Sequence, residues 1–190
     1  GFTANANIGW WLNSAIGLRG GIQVSNADWT NDPLEECRYQ VGLYAGTLDL
    51  MLNPFGIMKN YDWNSTAGIN LFAGAGTGGI KFVTNRTKAV ENSINQWRFG
   101  TQIWLKLTNN LRFNIEPTYT LIRGFEKLQS VEKTNELSLK FGLSLLLGEK
   151  QDKKQEVTPT DENTVEYNPV TGFYAAAGGG WNTTVHTWRY

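Results

Sequence analysis

The chain has one cysteine, Cys37, and one histidine, His186, in 190 residues. A lone cysteine closes no internal disulfide, and together the two supply none of the short spacings that hold a metal. Charge of one sign is also missing. The 17 basic and 17 acidic residues cancel, so no field gathers nucleic acid or another polyanion. No run of 18 apolar residues occurs, which excludes a transmembrane helix but not transmembrane strands, because strands alternate. A mean hydropathy of −0.36 is compatible with such strands. The opening residues do not show a signal-peptide pattern. The chain opens inside an alternating segment at Gly1-Phe2-Thr3, as a processed chain or a fragment would.

Glycine and aromatic rings are what the sequence has in quantity: Gly 21, Trp 8, Tyr 7 and Phe 9, against Pro 5. That combination suits twisted strands with ring-bearing ends. Period-two alternation dominates. From Leu137 to Leu147, Leu137, Leu139, Phe141, Leu143, Leu145 and Leu147 share one face, with Ser138, Lys140, Gly142 and Ser144 on the other. The same pattern runs through Phe2 to Leu12, Ile16 to Val24, Trp97 to Leu107 and Leu111 to Leu121. In Tyr39 to Leu52 the apolar phase moves from odd to even positions, which a β-bulge near Gly46 would explain. Gly68 to Phe82 is weaker and glycine-rich, and Thr171 to Val185 closes the set. Eight strands of about ten residues each are what the smallest usual membrane barrel requires.

The connections support the same reading. Leu12 to Ala15 and Thr108 to Leu111 are tight turns, Asn53 to Asn64 is intermediate, and Ser25 to Arg38, Val83 to Gln96 and Arg123 to Asn135 are long and polar. In a membrane barrel the short turns face the periplasm and the long loops face outside. Residues 1–148 thus carry seven strands. Residues 149–168 are charged and poor in large apolar side chains, as a flexible linker or periplasmic connection would be. Residues 169–190 hold a further strand, which either closes the first seven or begins a second barrel.

Charge placement distinguishes a membrane barrel from a soluble sheet. Arg19, Arg98, Lys106, Arg112, Glu116 and Lys140 sit on the less apolar faces, with Asp49 beside them if the bulge is present. The opposite faces are almost free of charge. A bilayer enforces this, since a basic side chain at the midplane of the lipid face costs roughly 2–4 kcal/mol. The expected architecture is therefore an all-β, antiparallel up-and-down transmembrane barrel. Its lumen is plugged by a network of Arg19, Asp49, Arg98, Lys106, Arg112, Glu116 and Lys140, because eight strands leave an interior just wide enough for side chains. Trp10, Trp97, Trp104, Tyr119 and Trp181, with Phe2 and Phe173, lie toward strand ends and are expected to form interfacial girdles.

The segments ANIGWWLNSAIGLRGGIQ, LDLMLNPFGIMKNYDWNSTAGINLFAGAGTG and WRFGTQIWLKLTNNLRFNIEPTY, with the late TGFYAAAGGGWNT, resemble the OmpA-like, porin-type barrels of outer membranes, more narrowly those common in Bacteroidota. The first resembles the second and third strands of that group, and the last resembles its first strand, here displaced to the C-terminus. The resemblance implies a structural anchor or accessory subunit in the outer membrane of a Gram-negative bacterium. The implied partners are lipid, lipopolysaccharide and other envelope proteins, and no enzyme or cofactor is implied. A small-solute porin and a soluble lipocalin-like binder are the alternatives.

Candidate chemistry is thin. His186, near Thr183, Thr184 and Thr187, has no Ser partner or third group to make a lipid A hydrolase. Asp28, Asp32, Glu35 and Glu36 fit no EF-hand and read as a solvated loop. Gly74-Ala75-Gly76-Thr77-Gly78-Gly79 lacks the Gly-Lys-Ser/Thr and helix of a phosphate loop, and reads as glycine permitting strand curvature. The sequons at Asn64, Asn85 and Asn182 are so in form only.

Overall fold

The structure, a computed structural model, describes residues 1–30, 38–58, 65–84, 90–124, 131–147 and 172–188. The linker expected at 149–168 lies outside these residues, as do Asp32, Glu35 and Glu36. Eight antiparallel strands form one closed barrel in chain order. They are β1 (Phe2–Trp11), β2 (Ile16–Thr30), β3 (Arg38–Leu52), β4 (Ala67–Thr84), β5 (Val90–Lys106), β6 (Leu111–Arg123), β7 (Val131–Leu147) and β8 (Gly172–Trp188). Among the described residues the single helical element is a 3-10 turn at Phe55–Ile57. β8 pairs with β7 on one side and β1 on the other, so the last strand closes the sheet formed by the first seven.

The register sets the barrel's dimensions. Paired residues run from Trp11 through Gly17, Met51, Phe72, Gly100, Thr118, Ser138 and Asn182 and return to β1 at Gly1, ten residues from the start. A stagger of that size over eight strands corresponds to a tilt of about 40° and a backbone radius of about 8 Å. Side chains of ordinary length fill such a cylinder.

The tight turns form where the sequence places them. Asn13 Oδ1 accepts from the amides of Ala15 and Ile16, both at 2.8 Å. Thr108 Oγ1 accepts from the amide of Leu111 at 3.1 Å. These side chains substitute for backbone partners in the turn. The β1–β2 turn also docks on the 3-10 segment, with Ser14 Oγ donating to Gly56 O at 2.8 Å.

Two expectations are corrected. There is no bulge near Gly46, since β3 pairs with β2 and β4 in unbroken register from Tyr39 to Leu52. Leu43, Ala45, Thr47, Asp49 and Met51 all point inward, and Tyr44, Leu48 and Leu50 outward. The apparent phase shift arises because the interior takes apolar side chains near its ends. The long connections are also shorter than the alternation suggests. β2 runs on to Thr30, β5 starts at Val90 and β7 at Val131. Pairing continues there through polar residues that carry no alternation to mark a strand.

Candidate functional site

Five charged side chains meet inside the barrel. Arg19 on β2 binds Asp49 on β3 through Nε at 2.8 Å and Nη2 at 2.7 Å, and its Nη1 pairs with Glu116 on β6. Arg98 on β5 reaches Asp49 and Glu116 at 3.4 Å each, and Lys140 on β7 lies 3.0 Å from Glu116. All five are buried. Two carboxylates thus bridge three cations across five strands, which compensates each charge for its lost hydration.

Glycine on β4 makes room for this cluster. A Cβ at Gly74 would collide with Asp49 Oδ1 and with the Leu48 carbonyl. Above the cluster, Arg98 donates to Gln23 at 3.3 Å, and Gln23 donates to Ser25 and Glu136 at 3.3 and 3.4 Å. Ser25 in turn donates to Thr3 at 3.0 Å. Below it, Trp11, Met51, Phe72 and Tyr174 form a buried apolar layer, with Tyr174 Oη donating to Met51 Sδ at 2.8 Å. Phe72 caps that layer, with the Arg19 guanidinium 4.2 Å from its ring centre. Toward the other rim, Leu43, Ile80, Ile94 and Ile122 are buried. The ionic centre therefore lies between apolar residues at both ends.

Of the seven charges expected in the lumen, Arg19, Asp49, Arg98, Glu116 and Lys140 form the cluster. Arg112 sits nearer the short-turn end, its guanidinium 3.8 Å from the Trp104 ring centre. Lys106, opposite Arg112 on the neighbouring strand, is half-exposed. Sequence reading missed Gln23 and Glu136 as part of the network. Glu136 shares the parity of Ser138 and Lys140, and it was legible had the strand been started one residue earlier.

Trp104 requires correction. It was expected in an interfacial girdle, but it is 1% exposed and inside the barrel under Arg112. Its parity already matched Gln102 and Lys106, and Gly68 across the sheet leaves the space its indole occupies. Trp10, Trp97, Tyr119 and Trp181 do face outward. Trp10 stacks on Phe173 at 5.7 Å, and Trp181 meets Phe141 edge-on at 6.1 Å.

The outer wall is apolar throughout its middle. Ile8, Ile22, Leu48, Leu50, Leu137 and Leu143 are among the large hydrophobic side chains it exposes. Among the residues whose burial is described, the outward charges are Lys81 and Arg123, both near the long-connection rim. His186 lies in β8 opposite Thr134, and its side chain is outside the described set. Glycines 74, 76, 78 and 79 all lie within β4, not in a loop before a helix.

These features define a closed eight-stranded antiparallel barrel with a filled, ionic interior and an apolar exterior. No protein-family model matches the chain, and no curated protein matches it.

Proposed function

We propose that the chain is a non-enzymatic outer-membrane barrel that serves as a structural anchor or accessory subunit of an envelope complex. The carrying observation is the segregation of charge: five ionic side chains are enclosed while the wall outside them is apolar. In water this arrangement would expose a belt far larger than soluble monomers tolerate. In a bilayer it is the stable orientation. The outward rings fit the same reading. Phe173 and Trp181 stand eight residues apart on β8, which at about 3.4 Å per residue and a tilt of about 40° separates them by about 20 Å across the sheet normal to the membrane. That is close to the apolar height of outer-membrane barrels, about 25 Å.

The anchor reading rests on the filled lumen. A small-solute porin needs a continuous aqueous path, and the apolar layer of Trp11, Met51, Phe72 and Tyr174 obstructs one. A lipocalin-like binder needs an apolar cavity of ligand size, and among the described residues the ionic centre is flanked by cavities of only about 20 and 10 Å³. The resemblance to OmpA-like barrels of Bacteroidota points to lipid, lipopolysaccharide and envelope proteins as partners. The test is gel mobility of the chain extracted by detergent from an outer-membrane fraction, boiled and unboiled. A heat-dependent shift is expected. Recovery in the soluble fraction with no shift would overturn the reading.

A further inference from the structure

We propose that the barrel interior contains a built site for a single long-lived water molecule, seated between the Glu116–Lys140 ion pair and Asn5 of β1. It rests on interior geometry alone and holds whether or not the barrel is an anchor.

A cavity of about 20 Å³ opens beside the ion pair, lined by Asn5, Asn7, Gln102, Asn114, Glu116 and Lys140 among others. That volume accommodates one water and little more. Gly142 and Gly178 form part of its wall, and a Cβ on Gly178 would come 3.1 Å from Asn5 Oδ1. The room therefore depends on glycine at that position.

The lining chemistry selects the occupant. Asn5 Oδ1 is buried and accepts no hydrogen bond from the protein. The Lys140 ammonium carries three N–H donors, and its ion pair with Glu116 spans 3.0 Å. A water seated there accepts from Lys140 and donates to Asn5 and to Glu116, which gives it the two to four polar partners that internal water requires. A cation is repelled by Lys140 and an anion by Glu116, so a neutral dipole of one heavy atom is what fits. The seat also links β1, which contributes no charge to the cluster, to the ion pair between β6 and β7.

The test uses the full chain in detergent micelles, with water-to-protein cross-relaxation observed at the side-chain amide of Asn114, which lines the same cavity. The expected result is a cross-peak with the sign of a water bound for longer than the tumbling time. It should be lost in Asn5→Leu, whose barrel is verified by the same heat-dependent mobility as the parent chain. Absence of the cross-peak in the parent chain overturns the proposal, and so does its undiminished persistence in the variant. Should Asn5→Leu fail to close, the parent measurement alone decides. A membrane reading that failed would appear in fractionation and leave this result untouched.

Discussion

Glu116 pairs with three cations at once, so its removal is the most consequential single change in the interior. Glu116→Gln leaves Arg19 and Arg98 with Asp49 and takes from Lys140 its ion-pair partner. Breaking a buried pair by deleting one partner typically costs about 3–5 kcal/mol, because a charge remains enclosed without compensation. The expected outcome is a lower denaturant midpoint for the heat-dependent mobility shift, with no comparable loss in Lys81→Gln at the exposed rim. Trp104 gives a second residue-scale prediction. Emission from Trp10, Trp97 and Trp181 should be quenched by brominated acyl chains, whereas buried Trp104 should not. In Trp104→Phe the quenchable fraction of total emission therefore rises.

Along an element, the proposed membrane reading converts the alternation into position relative to lipid. Leu143, midway along the apolar face of β7, and Thr183, toward the long-connection end of β8, both point outward. Leu143→Arg is expected to destabilise by roughly 2–4 kcal/mol, and Thr183→Arg by about 0–1 kcal/mol, since the cost falls with distance from the midplane. Reversible unfolding in lipid vesicles measures the difference. Equal costs at the two positions would place the apolar belt in water or in a protein interface. β4 shows why alternation is not always visible. Its inward positions Gly68, Gly74 and Gly76 are empty so that Trp104, Asp49 and Gln96 fit opposite them. A strand selected for space on one face leaves little polarity contrast to read.

For the whole molecule, closure and filling go together. A radius of about 8 Å leaves no bore once the charged cluster and the Phe72 layer are in place. Planar bilayers containing the chain should show conductance no greater than lipid alone. A steady open level would refute the plug and favour the small-pore alternative.

Strand number, antiparallel order and the outward face of six strands were legible from period-two alternation, because lipid or core must bind one face and not the other. The inward placement of Arg19, Arg98, Arg112, Glu116 and Lys140 was legible for the same reason, each sharing a face with glycine or a small polar residue, whereas Asp49 was placed there only with a bulge that the register lacks. What alternation could not reveal depends on pairing across strands distant in sequence. The unbroken register at Gly46 follows from β2 and β4 on either side, and the inward Leu43 that disguised it is buried near one end of the interior. Trp104 is buried because Arg112 lies over it and Gly68 yields to it. The role of β8 was likewise open in the sequence, where it could close this barrel or begin another. Its hydrogen bonds to β1 decided that, since a sheet of fixed stagger closes only when its last strand meets its first in register.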